Sequence, residues 1–178
     1  MTLQVREMLP SEAHVVTSYF HNSTPEFLEN MGVDPTRIPT IGIWQDRIAQ
    51  QYALPPKSRA AVVVLWLMDD KPVGFSSCDK IVYGEHATMH LHVLQPERRQ
   101  SGIGTPGVRQ SAAIYFDMLK LKSLFCEPNA FNTAPNRTLQ KAGFKYLKTH
   151  MTVPGLLNYH QAVTRWMVER PQMEGWKT

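Results

Sequence analysis

Residues 88–104 read Thr88-Met89-His90-Leu91-His92-Val93-Leu94-Gln95-Pro96-Glu97-Arg98-Arg99-Gln100-Ser101-Gly102-Ile103-Gly104. Thr88 to Leu94 has the composition of a strand. Gly104 to Lys120 is a long amphipathic helix, with Val108, Ala112, Tyr115, Phe116 and Leu119 on one stripe. The two glycines between them let the backbone turn tightly and approach a ligand closely. The unpaired amides at the helix start point into that turn, and the helix dipole adds partial positive charge. Strand, amide-lined turn and helix together form a cradle suited to a pyrophosphate. It is not a nucleotide P-loop, because no Gly-Lys-Ser/Thr follows, and it lacks the three-glycine spacing of the dinucleotide fingerprint. A glycine turn that merely connects two elements is the competing reading.

Outward from this unit, Leu124 to Glu127 is the next strand, reached through the helix. That crossover makes it parallel and adjacent to the Thr88–Leu94 strand. Upstream, Ala60 to Met68 is a buried strand, Asp69-Asp70-Lys71 a tight turn, Val73 to Val82 its hairpin partner, and Tyr83-Gly84-Glu85 a second turn. Downstream, Thr133 to Ala142 is a helix closed by Gly143, and Phe144 to Val153 and Val163 to Val168 are the last strands. The N-terminal third reads as one strand, Leu3 to Met8, followed by helices. Ser11 is the expected N-cap of the first, Thr24-Pro25-Glu26 opens the second, and Ile43 to Ala53 is the third.

At 178 residues the chain is expected to be one domain, 1–178, able to bury a sizeable core without disulfides or metal. Its 43% hydrophobic and 19% charged residues fit a globular protein. Cys78 and Cys126 are too few for a secreted disulfide framework and too far apart for a cysteine zinc site, so no metal is expected. The longest apolar run, Ala60 to Met68, is far short of the ~20 residues that span a bilayer. The opening segment lacks the apolar core of a signal peptide, so the expected location is cytoplasmic. A surplus of 19 Lys and Arg over 15 Asp and Glu is scattered, with no basic run beyond Arg98-Arg99. That pattern argues against nucleic acid and suits a small anionic ligand.

Two segments carry a family resemblance. Arg99-Gln100-Ser101-Gly102-Ile103-Gly104 resembles the Arg-x-x-Gly-x-Gly motif of the GNAT acyltransferase superfamily, whose loop holds the pyrophosphate of acetyl-coenzyme A. Asn132-Thr133-Ala134-Pro135-Asn136-Arg137-Thr138-Leu139-Gln140-Lys141-Ala142-Gly143-Phe144 resembles the family's Asn-to-Gly-Phe stretch, in the form found in its Rim-type and antibiotic-modifying branches. The resemblance covers roughly Leu65 to Val168. It implies the GNAT form of an α/β (α+β) fold: a mixed, mostly antiparallel sheet of about seven strands, helices on both faces, and a splayed parallel pair at the cofactor. The implied cofactor residues are Val93 and Leu94 at the strand end, then Arg99, Gln100, Ser101, Gly102, Ile103, Gly104 and Thr105, with Asn132, Asn136 and Arg137.

The implied activity is direct attack of a primary amine, on a small molecule or peptide, upon the thioester of acetyl-coenzyme A. Such a reaction needs a base for the amine's proton and donors for the oxyanion. His90 and His92 are two residues apart and therefore share a strand face with Thr88. They resemble the paired histidines of serotonin N-acetyltransferase. Counted back from Arg99, His90 matches the second of that pair and Thr88 replaces the first. Histidine titrates near neutrality, so it suits a base. The competing reading of both is packing. Glu127 is the third catalytic candidate. Glu127-Pro128-Asn129-x-x-Asn132 also resembles the hydroxylysine O-acetyltransferases, so Glu127 is expected to orient a histidine, act as base or bind a cationic substrate. Leu139 stands where many relatives carry a tyrosine that protonates the departing thiolate, and none of Tyr115, Tyr146 or Tyr159 can be placed there from sequence. Trp44, Tyr52, Tyr83, Glu85 and Tyr159 are the candidate acceptor-binding residues, with ordinary packing as the alternative. Two further readings stay open: O-acetylation of a hydroxyl or hydroxamate, and a non-catalytic acyl-coenzyme A-binding module. No membrane or nucleic-acid partner is expected, and a homodimer is among the assembly states left open.

Overall fold

Side chains alternate across a strand, so a sheet covered on both faces must be apolar on both. The Val62–Met68 segment meets that demand, and it has a strand neighbour on each side. The computed structural model describes residues 2–94 and 102–177. Strand β1 spans Leu3–Glu7, helix α1 His14–His21, α2 Pro25–Asn30 and α3 Ile41–Ala53. Strands β2 (Val62–Met68), β3 (Lys71–Val82) and β4 (His86–Val93) follow, then α4 (Gly104–Leu119), β5 (Ser123–Cys126), α5 (Thr133–Ala142), β6 (Lys145–Thr152), β7 (Gln161–Glu169) and α6 (Arg170–Glu174). The strands form one seven-stranded sheet in the order β1-β2-β3-β4-β5-β7-β6. The β4–β5 pair is parallel and every other neighbouring pair is antiparallel.

Val62, Val64 and Trp66 of β2 pack with Val108, Ala112, Tyr115 and Phe116 of α4 on one face. Leu65 and Leu67, with Phe75 of β3, pack with Val16, Phe20 and Leu28 of α1 and α2 on the other. The Trp66 indole fits because residue 107 is glycine, where a Cβ would approach it to 2.7 Å. Its Nε1 donates to Ser111 Oγ at 2.8 Å, which satisfies the one polar atom of a fully buried ring.

Local signals set most boundaries. Thr24 Oγ1 caps α2 by accepting from Phe27 N–H at 3.2 Å, and Gly143, at φ +96°, closes α5. Asp69 and Asp70, both at positive φ, make the two-residue β2–β3 turn. Ser11 does not cap α1. Pro10 starts a 3-10 turn over Pro10–Glu12, so Ser11 falls inside it and α1 begins only at His14. Glu12 caps that turn by accepting from Leu9 N–H at 2.9 Å, and it also binds Arg6 of β1 at 2.6 and 2.8 Å. Likewise α3 starts two residues before Ile43, because Thr40 Oγ1 accepts from the Ile43 amide.

Candidate active site on the β4 face

The β4 strand turns His86, Thr88, His90 and His92 to one sheet face. Across β3, Phe75 lies opposite His92, Ser77 opposite His90 and Asp79 opposite Thr88. The β4–β5 ladder ends at Met89 and Cys126. Pro128 has no N–H with which to extend it. Its carbonyl accepts from Thr164 N–H at 3.1 Å instead, Asn129 bridges Val163, and Ala130 donates to Ala162 at 2.9 Å. The chain after β5 therefore follows β7 and leaves His90 without a strand neighbour on its β5 side.

His90 is held from three directions. Its carbonyl accepts from Ser76 Oγ at 2.6 Å, and Ser76 Oγ accepts in turn from the buried Tyr115 hydroxyl at 3.1 Å. Its Nε2 lies 3.1 Å from Asp79 Oδ2, within ion-pair reach though out of line for a hydrogen bond. The loop after β6 lies against the ring at Gly155, where a Cβ would come within 3.1 Å of His90 Cε1 and 2.8 Å of Asn158 Oδ1. Among the described residues Nδ1 of His90 makes no hydrogen bond, and Nε2 is buried without one.

His92 has a different environment. Its ring stacks on Phe75 at 4.6 Å and 25°, and meets Tyr19 and Phe20 edge-on at 5.1 and 5.2 Å. The residue keeps some surface, but Nδ1 is buried without a hydrogen-bond partner. Burial in this aromatic box, with a smaller contribution from His90, pushes its pKa down to about 3. The ring is neutral at neutral pH and holds a proton far more weakly than free imidazole.

Glu127 sits immediately after β5 with its side chain 4% exposed. One oxygen, Oε1, accepts from Arg165 of β7 at 2.8 Å and from His150 of β6 at 3.1 Å. Arg165 also lies over the Phe125 ring at 4.1 Å. The carboxylate does orient a histidine, but that histidine is His150. Asp79, His150 and Arg165 were not singled out by sequence. Their spacing along the chain carries no signal, because three different strands deliver them.

On the cofactor side, Arg99, Gln100 and Ser101 lie outside the described residues. Gly102 is at φ +82° with open space where a side chain would be. Ile103 precedes α4 without a side-chain cap, and no acidic residue occupies the first turn. Among the described residues the amides of Gly104 and Thr105 at the α4 start have no carboxylate in the first turn competing for them, as an anion cradle requires. Gly104 packs on Thr138 of α5, and Arg137, its exposed neighbour, has no carboxylate partner among the described residues. Val93 and Leu94 line the end of β4, where Leu94 N–H donates to Val73 at 3.0 Å. Asn132 occupies the α5 N-cap position without a side-chain cap bond. Asn136 is a structural junction: its Nδ2 donates to the carbonyls of Asn129 and Asn132 at 3.1 and 2.8 Å, and its Oδ1 accepts from Trp166 Nε1 at 2.8 Å.

The acceptor candidates divide by position. Tyr159 donates to the Glu29 carbonyl at 3.0 Å, which ties the β6–β7 loop to α2, and Trp44 packs on Phe20 at 5.1 Å beneath the His92 box. Both belong to the layer over the β4 face. Tyr83 and Glu85 are at the opposite end of β4, where Glu85 pairs with Lys122 at 2.8 Å. Tyr52 is stacked under Arg59, ahead of β2. The structure does not bring these three to His90. Leu139 is fully buried, Tyr115 lies in the opposite core, and the exposed Tyr146 bonds Thr149.

A cavity of about 180 Å³ lies on the same face, lined by Lys80, His86, Thr88, Phe125, Glu127 and Arg165. A larger open depression of about 700 Å³ is at the β1 edge, three strands from β4, and holds none of these groups. Among the described residues no helix is long and apolar enough to cross a membrane.

Comparison with known proteins agrees with this arrangement. An aminoglycoside acetyltransferase in complex with coenzyme A is 14% identical, with 99% of this chain and 100% of that one covered, at a TM-score of 0.75. Spermidine N-acetyltransferase from Vibrio cholerae, in complex with coenzyme A and spermine, is 12% identical over 97% and 98%, at 0.77. A ribosomal alpha-N-protein acetyltransferase in complex with coenzyme A is 13% identical over 95% and 94%, at 0.76. At these identities the likeness is one of fold. No curated protein sequence matches the chain. The acetyltransferase (GNAT) domain model, by contrast, matches residues 3–145. A sheet with one parallel pair, opened beside an uncapped helix, and a family match over most of its length place the chain in the GNAT acetyltransferase family.

Proposed function

We propose that the protein transfers an acetyl group from acetyl-coenzyme A to a primary amine, with His90 as the base. Acetyl-coenzyme A supplies the activated acyl carbon as a thioester. The α4 amides at Gly104 and Thr105 and the open turn at Gly102 suit its pyrophosphate, with Arg137 beside them. The observation that carries the reading is the position of His90. It stands on β4 at the point where β5 turns away, anchored through its carbonyl to Ser76, with Nε2 3.1 Å from Asp79 Oδ2.

In this reading the Asp79 carboxylate lies beside Nε2, and Nδ1 accepts the proton that the acceptor nitrogen loses, through a water. His92 is neutral and boxed by aromatic rings, so it positions the strand and is not the base. Glu127 holds Arg165 and His150 through one oxygen, so it is a positioning carboxylate. The test is an acceptor panel of amino acids, polyamines, aminoglycosides, peptides and hydroxamates, read by release of free thiol. Amine-dependent thiol release that falls at least a hundredfold in His90→Ala is expected. Undiminished turnover in His90→Ala removes His90 as base. Transfer confined to hydroxamates would replace the amine with an oxygen acceptor.

A further inference from the structure

The cavity beside His90 has a charge pattern that narrows the acceptor. Its floor is the Thr88–Phe125 register of the parallel pair, and His90 is the next residue of β4 on that face, about 7 Å along the strand. A group seated in the cavity is therefore within one small molecule's length of the base.

Among the described residues lining the cavity, Glu127 is the one carboxylate, set against Lys80 and Arg165. Glu127 accepts from Arg165 and His150 on the same oxygen. Asp79 lies against His90. Asp79 Oδ1 is buried without a hydrogen-bond partner, but Asp79 is not among the residues lining the cavity. The donors, by contrast, are in surplus. Lys80 reaches only the neutral carbonyl of Val153, at 3.4 Å. Arg165 spends one nitrogen on Glu127, and its remaining N–H groups have no partner among the described residues. His86 Nδ1 is buried there without a hydrogen bond. Two cations on the lining against one carboxylate make an anionic, hydrogen-bond-accepting ligand the natural complement. Lys80 is delivered by a register shift between Asp79 and Val82, with its backbone at φ +48°. That bulge places one ammonium in the cavity wall and one carboxylate against the base.

We infer that the acceptor carries a carboxylate seated between Lys80 and Arg165 while its amine faces His90, so that it is a small amino acid and not a polycation. The inference rests on the amine-transfer reading above and names its substrate class. It also separates this chain from fold neighbours described as acting on aminoglycosides or spermidine, whose cationic acceptors would meet Lys80 and Arg165 here. A cavity of about 180 Å³ holds a carboxylate with a short carbon chain.

The experiment compares amino acids with one to five carbons between amine and carboxylate, each beside its own primary amide, with spermidine and an aminoglycoside as polycations. Thiol release gives kcat/KM for each. At least one acid is expected to exceed its amide by tenfold or more, through KM, and to exceed both polycations. Lys80→Asn removes the charge with a residue that tolerates positive φ. It should collapse the acid-to-amide ratio toward one, and Lys80→Arg should restore it. A cofactor-induced rise in melting temperature, retained in both variants, reports that they are folded. Amides or polycations used as well as acids, or a ratio unmoved by Lys80→Asn, overturns the inference. If no amine of any kind is acetylated, amine transfer fails separately. Calorimetric titration of the same acids then decides the cavity: binding that Lys80→Asn weakens upholds the anion site, and no binding overturns it.

Discussion

Lowering the pH from 7 to 5 should destabilise the protein by about 2 kcal/mol through His92 alone. Its folded pKa is about 3, against an ordinary value of 6.5, chiefly because the ring is buried among Phe75, Tyr19 and Phe20. The sign follows from which state binds the proton. Below 6.5 the unfolded chain protonates this imidazole and the folded one does not, so the unfolded state is favoured increasingly as pH falls toward 3. Above 6.5 neither state is charged and the effect vanishes. At pH 5 the unfolded state gains roughly thirtyfold in statistical weight, or ~2 kcal/mol, a figure that barely changes while the folded value stays below about 4. In a chain of this size that lowers the melting temperature by ~4–8 °C. Other groups titrate over the same range, so the measurement is a difference. Urea or thermal unfolding of the wild type and His92→Phe is compared at pH 7 and pH 5, the phenyl ring preserving the stack on Phe75. Between the two pH values the stability of His92→Phe relative to wild type should rise by about 2 kcal/mol. Parallel pH dependences for the two proteins would refute the placement of His92 in a dry aromatic box.

Three other perturbations read different parts of the structure. Gly102→Glu puts a carboxylate in the open turn ahead of α4 and a side chain at φ +82°, so the melting-temperature rise induced by coenzyme A should disappear, while the apo protein loses only ~1–2 kcal/mol. An unchanged cofactor-induced shift would exclude that turn as the phosphate cradle. Asp79→Asn should lower kcat at least tenfold, leave KM for the acceptor within about twofold and leave unfolding nearly unchanged, because it acts on His90 and not on the core. A change confined to KM would instead make Asp79 an acceptor ligand. Gly32→Ala should destabilise by ~2–3 kcal/mol in chemical denaturation. Residue 32 is at φ +72°, a Cβ there would overlap the Gln161 amide, and its carbonyl accepts from Gln161 and Asn158 at 2.7 and 2.9 Å. A neutral result would mean that α2 and the β6–β7 loop are joined more loosely than those bonds imply.

The site is organised by carboxylates that each hold a base. Asp79 faces His90, and Glu127 binds Arg165 and His150. In a partly dry site an unpaired charge is penalised heavily, so each carboxylate is set beside a basic side chain.

The local grammar of the sequence determined much of this molecule. The strand, glycine turn and helix over 88–104, the crossover that makes β4 and β5 parallel, and the αL stop at Gly143 all follow from periodicity and turn chemistry within short windows. The shared face of His90 and His92 follows from the two-residue period of a strand. What each histidine does was decided by tertiary structure. Continuing the register of the Val82–His86 pair would set Asp79 opposite Met89, on the core side. The shift at Lys80 moves it opposite Thr88 and onto the face of His90. Nothing in the sequence marks that bulge, because its positive-φ residue is a lysine and not a glycine. His92 is boxed by aromatic rings because α1 closes Tyr19 and Phe20 over it. Glu127 was claimed by Arg165 and His150 because β7 inserts between β5 and β6, which no local pattern reveals. Periodicity acts over a few residues, whereas register and strand order are settled by packing between segments far apart in the chain. The identity of the candidate base could therefore be read locally, but its partners could not.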